Sequence, residues 1–141
     1  MAFKFEQLDV WKMSLEYSDL IYELSDKLPE YEKFNLKSQI IRAATSISLN
    51  IAEGSTGQSD AEQNRFLGMA IRSLIETVAC QRMIARRNYV NDKFFLDKVD
   101  QKAQELAKRL FSFRKVLTSK SIKEEPAVYE IDLFDEPLNN E

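Results

Sequence analysis

The sequence predicts an all-α protein, an antiparallel up-down-up-down four-helix bundle with an acidic C-terminal tail. Three observations carry that prediction. Four long segments repeat their apolar residues at steps of three and four, the spacing that lines side chains along one face of an α-helix. Gly and Pro are scarce, 3 of each in 141 residues, so there is little material for turns or irregular loops. The links between the periodic segments are short, which makes consecutive helices antiparallel neighbours. A chain of this length buries a real core as one domain, and residues 1–120 are expected to form it, ahead of a tail at 121–141.

The first helix is expected over about 8–28, with Val10, Tyr17, Ile21, Leu24 and Leu28 as its stripe and Trp11, Leu15 and Tyr22 widening it. Pro29 ends it, because the residue before a proline is disfavoured in the α conformation. After a short polar connection at 30–35, the second helix is expected over 36–53. Its Ile40, Ala44, Ile47 and Ile51 are spaced four, three and four apart. Beside them Ala43, Ser46 and Ala52 are small enough to let a neighbouring helix come close. Gly54 then reads as a left-handed C-terminal cap.

Ser59 followed by Glu62 is a capping-box pattern that opens a third helix over 59–87. Phe66, Leu67, Ala70, Leu74, Ile75, Val78 and Met83 form its apolar side. Asn88 and Tyr89 break it, and Asn91 or Asp92 caps a fourth helix over 92–119. There Phe95, Val99, Ala103, Leu106, Leu110, Phe113 and Leu117 give the cleanest stripe in the chain.

Charge is unevenly spread. The overall formal charge is −3, but residues 121–141 carry one Lys against seven Asp or Glu. The body is therefore weakly basic and the tail strongly acidic. The tail mixes its acids with Val128, Tyr129, Ile131, Leu133 and Phe134, and reads either as a solvated, disordered segment or as a docking segment. The chain has 1 cysteine, which excludes an internal disulfide and fits a reducing compartment. The N-terminus has no signal-peptide run, and no long uncharged apolar run occurs, so the expectation is a soluble cytoplasmic protein without a membrane partner.

The chain contains 0 histidines, which removes the usual general base, the imidazole metal ligand and any cysteine–histidine nucleophile. Cys80, among Val78, Ala79 and Met83, reads as a small core residue. No glycine-rich phosphate loop is present. Paired carboxylates such as Glu53 and Glu76 are more often solvated than catalytic. No enzyme activity, metal or cofactor is expected.

The opening Leu8-Asp9-Val10-Trp11-Lys12, then Ser38-Gln39-Ile40, Arg42-Ala43-Ala44, Ser46-Ile47 and Asn50-Ile51-Ala52-Glu53-Gly54 resemble a known family. So do Arg65-Phe66-Leu67, Ala70, Ser73-Leu74, Glu76 and Tyr89. The family is that of the four-helix-bundle proteins encoded in intervening sequences of bacterial 23S ribosomal RNA genes, often labelled S23 ribosomal proteins. The likeness covers about residues 5–118. It implies a ring-like homopentamer, and among relatives the accessory protein of diversity-generating retroelements, a basic bundle that binds nucleic acid and partners a reverse transcriptase. For the family at large no biochemical role is established. Two departures stand out: Ser48 occupies a position where the family usually has proline, which predicts an unkinked second helix, and Ile41-Arg42 replaces a pair of arginines, which weakens RNA binding through this helix.

Two sets of surface residues are candidates for function. Arg82, Arg86 and Arg87 at the end of helix three, with Lys98, Lys102 and Arg109 on helix four, form a candidate contact surface for structured RNA or DNA. Arginines near a helix C-terminus are equally explained by its negative end. Trp11, Arg42, Asn50, Glu53 and Gly54 read as an assembly signature, with the polar members hydrogen-bonded to one another or to helix ends. Phe3, Phe5, Trp11, Tyr17 and Phe34 exceed what one bundle stripe needs, so some are expected at a subunit interface. The leading expectation is a non-catalytic homo-oligomeric scaffold or adaptor, and the alternative is a nucleic-acid-binding accessory factor.

Overall fold

The structure, a computed structural model, describes residues 2–57 and 59–121, with side chains described as far as Ser119. The acidic segment beyond Ser121, and with it the choice between a solvated and a docked tail, lies outside the described residues. The described chain forms α1 (Asp9–Ser25), α2 (Leu36–Gly54), α3 (Asp60–Arg86) and α4 (Lys93–Ser121). One-turn 3-10 helices at Lys4–Gln7 and Glu30–Glu32 precede α1 and α2. Each helix packs on its neighbours in the chain and α4 closes the bundle against α1, with the α2–α3 contact the most extensive. Among the described residues there is no strand.

The apolar stripes of α1, α2 and α4 meet in the core. Ile21 and Leu24, Ile40, Ile47 and Ile51, and Val99, Leu106 and Leu110 are fully buried. Each such side chain contributes roughly 1.5–3 kcal/mol of transfer free energy. Tyr17 is buried with them at 0% exposure, so it belongs to the core and not to a subunit interface.

In α3 the buried side is rotated from the expected one. Leu67, Ala70 and Leu74 are buried as expected, but the stripe continues through Ile71, Thr77, Cys80, Gln81 and Ile84. Ile75 and Met83 are 40% and 52% exposed. Thr77 and Gln81 are polar, so a stripe drawn from apolar residues alone slides onto Ile75 and Val78. Cys80 is buried, and desolvation, then Glu76, raises its thiol pKa above the ordinary value.

The helix ends follow local chemistry. The α-helical part of α1 stops at Ser25, short of the expected Leu28. Its last turn tightens, with Lys27 N–H donating to the Leu24 carbonyl and Leu28 N–H to that of Ser25. Ser59 Oγ accepts from Glu62 N–H at 3.0 Å, which caps α3. The Glu62 carboxylate turns to Arg65 Nη2 at 2.8 Å. Asp92 Oδ1 accepts from Phe95 N–H at 3.0 Å and caps α4. At the end of α3, Asn88 takes φ 58°. Its N–H bonds to the Ala85 carbonyl and that of Tyr89 to the Ile84 carbonyl. This paired closure is a Schellman motif, with asparagine tolerating the left-handed position.

Gly54 is not the left-handed cap the sequence suggests. It is the last helical residue of α2 and is buried. A Cβ there would lie 2.8 Å from Phe66 Cβ, so the position serves the close approach of α3 to α2.

Candidate functional site

The α2 helix is uninterrupted from Leu36 to Gly54, as serine at position 48 predicts. Hydroxyl groups join it to helices on both sides. Ser14 Oγ donates to the Trp11 carbonyl at 2.6 Å. Its one proton is thereby used, so Ser48 donates across the 2.8 Å contact between the two hydroxyls. On the other side, Ser73 Oγ donates to Ser46 Oγ at 2.9 Å. The small residues of α2 thus admit close neighbours and also satisfy their polar atoms.

The expected hydrogen bonding among Arg42, Asn50 and Glu53 is not found. Asn50 Nδ2 turns back along its own helix to the Ser46 carbonyl at 2.9 Å and to Ser46 Oγ at 3.1 Å. Arg42 and Glu53 are exposed. Glu53 borders a shallow depression with Phe3, Phe5 and Thr56. Trp11 is half-buried and packs edge-on against Phe5, with ring centroids 4.8 Å apart.

Two polar clusters were not foreseen from the sequence. Gln81 Nε2 donates to Tyr17 Oη at 2.7 Å, and Tyr17 Oη lies 2.7 Å from Thr77 Oγ1. Thr77 donates to the Leu74 carbonyl at 2.6 Å, so the tyrosine must donate to the threonine. Burial pushes the Tyr17 pKa up to about 12, against the opposing hydrogen bonds from Thr77 and Gln81. The signal was present as Thr77 and Gln81, four apart in an otherwise apolar register.

The second cluster centres on Glu32. Its carboxylate accepts from Tyr89 Oη at 2.7 Å, from Asn35 Nδ2 at 3.1 Å and from Leu36 N–H at 3.3 Å. The Tyr89 hydrogen bond is the main cause that holds its pKa below the ordinary carboxylate value. Tyr89 in turn is shifted upward, first by Tyr31 and then by Glu32. The cluster ties the start of α2 to the residues after α3 and leaves no free acid for chemistry.

The basic candidates fall on two sides of α4. Arg82 Nη2 lies 2.9 Å from Asp100 Oδ1 on the side facing α3. That oxygen is buried and accepts no hydrogen bond of good geometry, so charge pairing alone holds the two groups together. Lys102 Nζ lies 2.8 Å from Glu16 Oε1 on the side facing α1. Lys98 borders the same α1–α4 groove, among Glu16, Asp19, Asp97 and Glu105. Arg109, seven residues past Lys102, continues that side. Arg86 and Arg87 stay exposed near the end of α3. The six cations named in the sequence therefore do not form one surface, and two of them already have acidic partners.

An apolar face lies over α1 and α2. The Ser14–Ser48 contact fixes which sides of the two helices meet. Helical spacing then places Leu15 of α1 beside Thr45 and Leu49 of α2, and Tyr22, two turns further along the antiparallel pair, beside Ile41 and Arg42. Leu15 is 40%, Tyr22 49% and Leu49 61% exposed. Trp11 and Ile41, partly buried on the core, lie at its base. Exposed charges border this face: Lys12 and Asp19 lie within a turn of Leu15 on α1, and Arg42 and Glu53 stand seven before and four after Leu49 on α2.

The fold and these surfaces define a small all-α bundle whose exposed features are an apolar helix-pair face and separated charged faces. No helix among the described residues is long and apolar enough to cross a membrane. The sequence model of the 23S rRNA-intervening sequence protein family matches residues 6–115, and the chain belongs to that family. Among solved structures it is similar to a protein of unknown function from the S23 ribosomal protein family of Bacteroides thetaiotaomicron. The two are 30% identical with a TM-score of 0.68, over 75% of this chain and 98% of the other. No match is found among curated proteins.

Proposed function

We propose that this protein is a non-catalytic, homo-oligomeric scaffold or adaptor of the 23S rRNA-intervening sequence protein family, working in the cytoplasm and holding its copies together through the α1–α2 face. The observation that carries the reading is the exposure of Leu15, Tyr22 and Leu49 along the α1–α2 pair, with charged residues at their margins. Large apolar side chains exposed together and rimmed by charge are the pattern of a protein–protein interface. The sequence likeness to ring-forming pentamers supports five as the number of copies. The absence of histidine and the structural engagement of Tyr17, Glu32 and Tyr89 support a role without chemistry. Light scattering on the purified chain at micromolar concentration tests this: the expected mass is a multiple of 16.4 kDa, and a monomer contradicts it.

A second reading, a nucleic-acid-binding accessory factor that partners a reverse transcriptase, draws support from the exposed Arg86 and Arg87. Binding to structured RNA or DNA at low salt, falling steeply as salt rises and weakened by Arg86→Ala with Arg87→Ala, is its expected outcome. No binding at low salt contradicts it.

A further inference from the structure

We propose that the acidic C-terminal segment, residues 124–136, binds the basic outer face of its own chain where α3 meets α4. The seam is set by the Arg82–Asp100 pair and by Arg114, whose Nε donates to Asn64 Oδ1 at 2.8 Å. The Arg114 guanidinium also lies over Gly68, where a Cβ would stand 3.0 Å from Nη1. Helical spacing carries Arg72 and Arg86 along the same outer side of α3 as Gly68 and Arg82. It carries Lys93, Lys108 and Lys115 along the matching side of α4. All five are exposed, and none has an acidic partner among the described residues. The acids on these two sides are Glu76, one turn from Arg72, Asp97 and Asp100, fewer than the cations, and Asp100 is already engaged by Arg82. Ile75, 40% exposed, and the exposed Ala79 supply apolar surface between the cations.

The segment has the complementary chemistry. Among its acids, Glu130 and Asp132 alternate with Tyr129, Ile131 and Leu133, while Glu124, Glu125, Asp135 and Glu136 flank that run. In an extended chain that alternation presents acids on one side and apolar groups on the other. Reach and position favour this face. The segment leaves the end of α4, which itself borders the seam. Residues 122–141, at roughly 3.3 Å each, span roughly 65 Å. The 29 residues of α4, at about 1.5 Å each, span roughly 43 Å. Tethering also supplies an effective concentration on the order of millimolar. The α1–α4 groove is no competitor, because Glu16, Asp19, Asp97 and Glu105 outnumber Lys98 and Lys102 there and repel an acidic chain.

Carbodiimide coupling of the full chain at low ionic strength, followed by peptide mapping, tests the contact because it joins carboxylates to nearby lysines. The expected products link residues 124–136 to Lys108, Lys115 or Lys93 and migrate as a single chain. Their yield should fall severalfold in the double variant Arg72→Glu, Arg86→Glu, which leaves the coupled lysines in place. It should fall likewise at about 1 M salt, where the screening length is about 3 Å. Coupling to Lys98 and Lys102 instead, coupling spread over all lysines, no coupling, or a yield indifferent to the double variant each overturns the proposal. Coupled products found only between two chains overturn its intrachain form.

Discussion

Tyr17 shows how a single side chain sets the register of two helices. Its ring fills the core, and its hydroxyl must be satisfied there because a buried polar group without a partner is costly. Gln81 and Thr77 meet that demand from α3. Tyr17→Phe keeps the ring but strands the Gln81 amide and removes a donor to Thr77. The expected loss is about 1–3 kcal/mol in urea unfolding, and a loss near zero contradicts the network. The raised Tyr17 pKa makes a second prediction. The folded state favours the neutral phenol, so its contribution is complete below about pH 10, the ordinary value, and declines as pH rises toward about 12. Thermal melts across that alkaline range should show the decline, and Tyr17→Phe should remove this part of it. Glu32 behaves with the opposite sign. Its lowered pKa gives stability that is present above the ordinary carboxylate value and lost as pH falls through the folded one. Tyr89→Phe should move the Glu32 titration, read by carboxyl NMR, upward toward the ordinary value, and an unmoved titration contradicts the assignment.

At the scale of elements, the helices were legible because their apolar spacing is long and regular, and α4 shows it in nearly every turn. What sequence periodicity hid was rotation and contact. The α3 stripe runs through Thr77 and Gln81, whose place in the core depends on Tyr17, far away in the chain. Gly54 looked like a cap because glycine commonly ends helices, while its real constraint is Phe66 on the facing helix. Gly54→Ala is accordingly expected to cost about 1–3 kcal/mol through overpacking, despite the better helix propensity of alanine. A melting temperature raised by the substitution contradicts that account. At the end of α3, Asn88 holds a left-handed conformation that glycine adopts freely and β-branched residues resist. Asn88→Gly should be tolerated and Asn88→Val destabilising by roughly 1–2 kcal/mol. Equal melting temperatures for the two variants contradict the Schellman closure.

At the scale of the whole molecule, the bundle buries most of its large apolar side chains but leaves Leu15, Tyr22 and Leu49 on one face. The sequence reading grouped Leu15 and Tyr22 with the core stripe, since both sit one helical step to its side. Only the Ser14–Ser48 contact shows that they flank the α1–α2 junction together with Leu49. The basic candidates failed to group for a related reason: position on α4 alone does not tell which neighbour each side faces, and Glu16 and Asp100 claim Lys102 and Arg82 from opposite sides. The proposed assembly depends on the apolar face, so substitutions there should act on mass and not on folding. The most direct measurement is light scattering on the wild type beside the double variant Leu15→Asp, Leu49→Asp, with helical content followed by circular dichroism. The account predicts a wild-type mass that is a multiple of 16.4 kDa and a variant that is monomeric yet helical. A variant with the wild-type oligomeric mass, or a wild type that is itself a monomer, contradicts it.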